Sequence, residues 1–240
     1  MKRIELVIPT IGRFKSLFSA IQSFYDQDKP KGVTLGVTVV VDWNRLDYHN
    51  RILTAGNILG IPFTLKFNKT RHGWNNSLNR VYEETDHDYY FYGSDDLTFH
   101  KNCVLSAYKN MTALFPDGDG LIGITQNLGQ FCPAAFGLIG RKFINRFPDR
   151  IVMYPYYKHF CGDSELWHYA VHKNKFHLCP AAKVTHARPM DEGKKLANKS
   201  LRYDREIWWK KKGKPRLYWG NSFKSPAELK NEIPVRTWGR

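Results

Sequence analysis

The chain has 240 residues, 42% hydrophobic and 15% aromatic, which is enough to bury a full core and too apolar for a disordered tail. Its 37 Lys and Arg outnumber 22 Asp and Glu, giving a formal charge of +15 and a pI near 9.6, which suits a polyanionic partner or a basic surface kept for solubility. No apolar run is long enough to cross a bilayer, and Cys103, Cys132, Cys161 and Cys179 show no CxxC spacing, so reduced thiols and a cytoplasmic setting are expected.

The apolar run 4–8 reads as a strand rather than a signal peptide and ends at Pro9-Thr10. Phe14, Leu17, Phe18, Ile21 and Phe24 then recur at helical spacing over 13–25, completing a β-turn-α unit. The β-branched run 33–41 predicts a second strand ending in Asp42, and 63–67 predicts a third. A helix is expected over 77–84, and the aromatic strand 89–92 runs straight into Gly93-Ser94-Asp95-Asp96. Beyond it the pattern predicts a helix over 102–115, strands over 121–125 and 135–139, and a helix from about Arg141. Cys161-Gly162-Asp163-Ser164 precedes a further helix over 165–172, and Lys183-Val184-Thr185-His186 ends a strand after it. Strand-then-helix alternation predicts an α/β fold with a mostly parallel central sheet flanked by helices.

Past residue 190 the composition shifts: ten basic residues from Lys194 to Arg216 are interleaved with Tyr203, Trp208 and Trp209. The expected organisation is a domain over 1–190, with halves 1–100 and 101–190, followed by a basic aromatic C-terminal extension over 191–240.

Hard cations such as Mg²⁺ and Mn²⁺ take oxygen ligands, and one or two carboxylates plus substrate phosphates complete their shell. Asp95-Asp96 at a strand end offers that pair, although an acidic turn would read the same way in isolation. In an open parallel sheet, ligands sit outside the carboxyl ends of the strands, so Pro9-Thr10, Asp42 and Asp95-Asp96 would open onto one crevice.

In their order and spacing, Val7-Ile8-Pro9-Thr10 with Arg13, Val39-Val40-Val41-Asp42, Ser94-Asp95-Asp96 and Gly162-Asp163-Ser164-Glu165-Leu166-Trp167 resemble the family-2-like GT-A glycosyltransferases, over roughly residues 3–190. The resemblance implies a GT-A fold and an inverting transfer of a hexosyl or pentosyl group from a nucleoside-diphosphate sugar, commonly UDP-linked, to an acceptor hydroxyl. It also implies roles. Pro9, Thr10 and Arg13 would line the donor pocket, with Asn76 from the Asn/Gly-rich stretch 68–79. Asp42 would meet the base or ribose, Asp95 ribose or water, and Asp96 the Mn²⁺ or Mg²⁺. Ser94 stands at the first acidic position of the metal motif, and 68–79 departs from the usual Gly-x-x-x-Ala-Arg-Asn pattern. Asp163 matches the acceptor base; Asp163 or Ser164 would equally serve as an N-cap, and a helix N-terminus favours an ionised carboxylate. His186 falls where many such enzymes place a histidine near the metal or diphosphate, and a structural histidine is the alternative.

His159, Cys161, His168, His172, His177, Cys179 and His186 crowd one stretch, but without the paired spacing of a zinc site. Tyr154-Pro155-Tyr156-Tyr157 reads as an acceptor-stacking platform or as core. The basic aromatic extension suggests a polyanionic acceptor, such as hydroxymethylated-pyrimidine DNA of a virus, whose base would have to be exposed or flipped. The competing acceptor is a cell-surface glycan or lipid-linked precursor, with the basic stretch resting on anionic lipid. The competing class is a non-catalytic nucleic-acid-binding protein on the same scaffold.

Overall fold

The computed structural model describes residues 1–42, 46–127 and 132–212. Residues 213–240, Lys214 and Arg216 among them, and Trp43-Asn44 therefore lie outside the described residues. The strands are β1 (Lys2–Thr10), β2 (Val33–Val41), β3 (Thr64–Phe67), β4 (Tyr89–Tyr92), β5 (Leu97–Phe99), β6 (Leu121–Gln126), β7 (Gly137–Gly140) and β8 (Phe176–His186). The helices are α1 (Phe14–Tyr25), α2 (Leu46–Leu59), α3 (Gly73–Glu84), α4 (Cys103–Leu114), α5 (Arg141–Ile144), α6 (Gly162–His172) and α7 (Glu192–Lys212).

The strands form one sheet in the order β3-β2-β1-β4-β7-β6-β8-β5. From β3 to β4 every pairing is parallel, as strand-helix alternation requires. Beyond β4 the sheet is mixed: β7 runs antiparallel to β4 and β6, β8 parallel to β6, and β5 antiparallel to β8. Because β2 and β4 lie on opposite sides of β1, the strand order reverses there, which is where an open α/β sheet makes its ligand crevice.

Both sheet faces are buried, and period-two alternation divides the strand residues between two cores. Ile4, Leu6 and Ile8 of β1 and Tyr89 and Phe91 of β4 pack with Leu17, Ile21 and Phe24 of α1 and Val104 and Met111 of α4. Val7, Tyr90 and Tyr92 point the other way, onto Leu78, Val81 and Tyr82 of α3, Phe143 of α5 and Leu166 of α6. Each such side chain contributes about 1.5–3 kcal/mol by leaving water. Pro9 fits a strand because its nitrogen costs no ladder bond. The Val7 carbonyl accepts from Gly93 N–H and the Thr10 carbonyl from Asp42 N–H, so Pro9 faces the β4 side, where β4 has ended.

Four elements differ from expectation. α3 starts at Gly73 rather than 77, β8 spans eleven residues, and α2 and β5 have no counterpart in the sequence reading. The start of the basic extension is also a helix, α7, which packs on the second core through Ile207 and buries Ala197, Ser200 and Asp204 beside it. Among the described residues no helix is long and apolar enough to cross a membrane.

Candidate active site

The carboxyl ends of β1, β2 and β4 open onto a cavity of about 740 Å³. Its acidic end is built by the turn after β4, which the Trp74 indole N–H holds through the Gly93 carbonyl at 2.9 Å. Thr10 Oγ1 donates to Asp95 Oδ2 and Ser94 Oγ to Asp96 Oδ1, both at 2.6 Å. Arg13 lies across the pair: Nη1 donates to Asp95 Oδ1 at 3.1 Å and to Asp96 Oδ2 at 3.0 Å. The rest of its guanidinium grips Asp191 through Nε at 2.6 Å and Nη2 at 3.0 Å. Strand pairing explains His186: it stands opposite Leu97 in the β5–β8 register, which brings Nε2 to 3.3 Å from Asp96 Oδ1.

The two carboxylates are 3% and 4% exposed yet ionise differently. Burial pushes Asp95 up to about 6, opposed by the Arg13 charge and the Thr10 hydroxyl and reinforced by Asp96. Burial acts on Asp96 too, but hydrogen bonding and charge from His186, the Ser94 hydroxyl and Arg13 outweigh it and hold Asp96 at about 2. The donor set fits a divalent cation. Carboxylate oxygens suit Mn²⁺ or Mg²⁺; the Asp96–His186 contact is here a hydrogen bond, with Arg188 Nε donating to His186 Nδ1, so a cation held by both side chains would take the place of the proton on His186 Nε2. Among the described residues no group of three His, Cys, Asp or Glu side chains gathers as a metal site, so a cation here would need oxygens from substrate or water.

Asp42 lines the cavity but is already engaged. Oδ1 accepts from Asn68 Nδ2 at 2.9 Å and His72 N–H at 2.7 Å, and Oδ2 accepts from Gly73 N–H at 2.8 Å. It therefore fastens the start of α3, with three of its roughly four acceptor positions taken. The structure does not bring Asn76 to the cavity: its amide donates to the carbonyls of His72 and Pro155, at 3.2 and 2.9 Å. Asn79 makes a reciprocal pair with the backbone of Met153, so Asn76 and Asn79 tie α3 to the 153–161 loop through short amides that satisfy its backbone groups. Tyr154 and Tyr157 on that loop are buried, and Tyr157 Oη donates to Glu165 Oε2 at 2.6 Å, so those rings are core; Tyr156 is 39% exposed.

Asp163 lines the same cavity from the first turn of α6. The turn before it is strained, with Cys161 in the left-handed region at φ 71°. Ser164 N–H donates to Asp163 Oδ1 at 2.8 Å, but neither residue is the N-cap: that position is Cys161, which makes no side-chain cap bond. Burial nevertheless outweighs that bond and raises the Asp163 pKa, opposite in direction to the effect of the helix terminus. Beneath it Asn75 is fully buried with neither amide atom paired among the described residues, and a Cβ on Gly162 would come 1.9 Å from its Oδ1.

The remaining wall is α7, which contributes Lys194, Asn198, Leu201, Arg205, Trp208 and Trp209. Asp204, 0% exposed, anchors it by accepting the backbone N–H groups of Lys158, His159 and Phe160 at 2.8–2.9 Å. No spacing rule marks Arg71 or Asp191, and His159 stands out only within the His/Cys-rich stretch; Arg71 and His159 line the cavity, whereas Asp191 joins the site through Arg13.

No protein-family model matches the sequence, and no curated protein sequence matches it. Solved structures do. PcManGT, a mannosyltransferase from Pyrobaculum calidifontis in complex with GDP-Man and Mn²⁺, superposes with a TM-score of 0.64 at 15% identity, covering 95% of this chain and 67% of that one. S. aureus TarS 1-349 in complex with UDP-GlcNAc superposes at 0.63 and 15% identity, covering 95% and 69%. Against the longer TarS chain the match covers 78% of this chain and 36% of that one, at a TM-score of 0.56. At these identities the likeness establishes the fold, which is of the GT-A type.

Proposed function

We propose that this chain is a metal-dependent, inverting glycosyltransferase that moves a sugar from a nucleoside diphosphate to an acceptor hydroxyl. The observation that carries the reading is that Asp96 and Asp163, a metal-type carboxylate and a base-type carboxylate, line one cavity of a GT-A-type fold. Neighbours of that fold were solved with GDP-Man and with UDP-GlcNAc, so the donor base is open between them.

In this reading Asp163 takes the acceptor proton. The hydroxyl oxygen bonds to the anomeric carbon as the bond from that carbon to the diphosphate breaks, its electron pair leaving with the diphosphate. Asp96 and His186 would hold Mn²⁺ or Mg²⁺, which neutralises charge on a leaving diphosphate. Pro9, Thr10 and Asp95 shape the donor end, Asp42 holds the start of α3 against it, and Arg13 balances the acidic pair. For the acceptor, Arg205 with Trp208 and Trp209 on the α7 wall favours an anionic molecule with planar rings, and DNA bearing hydroxymethylpyrimidine is the version that suits a net charge of +15.

The test is donor hydrolysis across UDP-, GDP- and TDP-sugars in Mn²⁺ and in a chelator. One donor should be hydrolysed in Mn²⁺ only, and Asp96→Asn should lower the rate roughly 100-fold or more, the scale of losing a charge-stabilising group. Absence of both binding and hydrolysis for every donor would sink the reading.

A further inference from the structure

Three consecutive residues in the first turn of α3 reach three stations of the site. Gly73 N–H donates to Asp42 Oδ2 at 2.8 Å, at the end of β2. Trp74 Nε1–H donates to the Gly93 carbonyl at 2.9 Å, and Gly93 N–H donates to the Val7 carbonyl at 3.0 Å. The residue that opens the Ser94-Asp95-Asp96 turn is thus held at both of its backbone groups. Asn75 lies against Gly162, the first residue of α6 and the neighbour of Asp163: a Cβ there would come 1.9 Å from Asn75 Oδ1 and 2.9 Å from its Cγ. Successive helix side chains point about 100° apart, which lets neighbours on one turn meet elements on different sides. The helix is a fixed reference, because Asn76 and Asn79 bond it to the backbone of Pro155 and Met153.

Resting on the glycosyltransferase reading, we propose that Trp74 and Asn75 are positioning residues. Trp74 sets the turn that carries Asp95 and Asp96, and Asn75 sets the turn that carries Asp163, so one helical turn fixes the spacing between the acidic pair and the acceptor base. Trp74 lines the cavity, and its ring meets Tyr92 edge-on at 6.2 Å, which aims the indole N–H at Gly93. Asn75 is 0% exposed, and neither atom of its amide is paired among the described residues. Burial without a partner leaves the desolvation of both atoms uncompensated, so the amide works against stability. What it provides is shape: a planar group against which residue 162 packs only as glycine. Gly162 is not required by its own backbone, since it is not among the glycines with positive φ; the contact with Asn75 requires it.

The experiment measures two quantities on the full chain: Mn²⁺ affinity by electron paramagnetic resonance, and kcat and KM for donor hydrolysis in saturating Mn²⁺, with water as the acceptor. Trp74→Phe keeps a ring against Tyr92 and removes the N–H; it should weaken Mn²⁺ binding about tenfold, the scale of losing a group that orients metal ligands. Gly162→Ala should lower kcat about 10–100-fold, the scale of a misplacement near 1 Å, with Mn²⁺ affinity and donor KM as in wild type. Asn75→Ala makes room for the added carbon, so combining it with Gly162→Ala should recover most of the loss. If Gly162→Ala does not fold, Asn75→Ala alone decides, with kcat about tenfold lower at wild-type Mn²⁺ affinity as the expected result. Trp74→Phe with wild-type Mn²⁺ affinity, Gly162→Ala with wild-type kcat, or both quantities falling together in every variant overturns the assignment and leaves the transferase reading standing. A double variant no faster than Gly162→Ala does the same. A wild type that binds Mn²⁺ but hydrolyses no donor removes the transferase reading and the part of Asn75 with it, while the part of Trp74 stands or falls on Mn²⁺ affinity. A wild type that binds no Mn²⁺ removes both.

Discussion

In the proposed reaction Asp163 must lose its proton before it can take one from an acceptor, and burial makes that loss harder. Its folded pKa lies above the unfolded value of about 3.9, so the fold favours the neutral acid. The stability this provides is fully present below about pH 4 and is lost as pH rises through the folded pKa. Two outcomes follow from one residue. The base limb of kcat/KM should sit above the ordinary carboxylate range, and Asp163→Asn should abolish that limb while lowering the rate about 10²–10⁴-fold. The same substitution should raise Tm at pH 7, since it removes a buried charge, with the gain shrinking as pH falls toward 4. A variant that is inactive and also less stable at pH 7 would point to a structural carboxylate. Asp95 and Asp96 show the same logic at closer range: adjacent and equally buried, they part because the hydrogen bonds from His186 and Ser94 both reach Asp96.

At the level of elements, α3 is placed by its first residue. Gly73 has φ +83°, and a Cβ there would come 2.0 Å from the Lys158 carbonyl oxygen, a backbone atom that cannot swing aside. Gly73→Ala should therefore destabilise by roughly 2–4 kcal/mol, the left-handed penalty plus overpacking, and should weaken nucleotide binding because Gly73 N–H also holds Asp42. Thermal unfolding with parallel donor titration checks both; Gly60→Ala, at φ +63° with nothing within 4 Å of the added carbon, is the control for backbone strain alone. Gly73 also shows where sequence reading stops. β1, β2 and β4 were legible because buried parallel strands are apolar runs, and Asp42, Asp95 and Asp96 because they follow those runs directly. α3 was read four residues short because its first turn, Gly-Trp-Asn-Asn, carries poor helix formers whose cap is supplied by Asp42, 30 residues away for His72 and 31 for Gly73. α2 escaped notice because Ile52 is its only fully buried side chain among the described residues, and β5 because three residues carry no period. Asn76 is a related case: an asparagine lining a donor pocket and one tying a loop have the same local sequence, and here its amide meets the His72 and Pro155 carbonyls.

The whole molecule joins a site with paired acids to a chain in which 37 Lys and Arg outnumber 22 Asp and Glu. α7 links the two. Its cavity side carries Lys194, Arg205 and Trp208, while Lys195, Lys199 and Arg202 are exposed. The spacing 195, 199, 202 puts those three on one outward stripe of the helix, and Arg202 is 91% exposed even while paired with Glu206 at 3.2 Å. Such a stripe contributes little to the fold, since exposed ion pairs are worth about 0–1 kcal/mol, so its removal should leave stability nearly unchanged. Its effect should appear in the salt dependence of polyanion binding. Each phosphate neutralised on a single strand contributes about −0.7 to the slope of log K against log salt. If an anionic acceptor runs along α7, replacing Lys195, Lys199 and Arg202 with Gln should flatten the slope for single-stranded DNA by about 2 while leaving donor hydrolysis intact. Slopes that agree between wild type and variant would move the polyanion off this helix. A flat response in the wild type would favour a neutral glycan acceptor, in which case Arg205 and Trp208 would act on a sugar face rather than a phosphate.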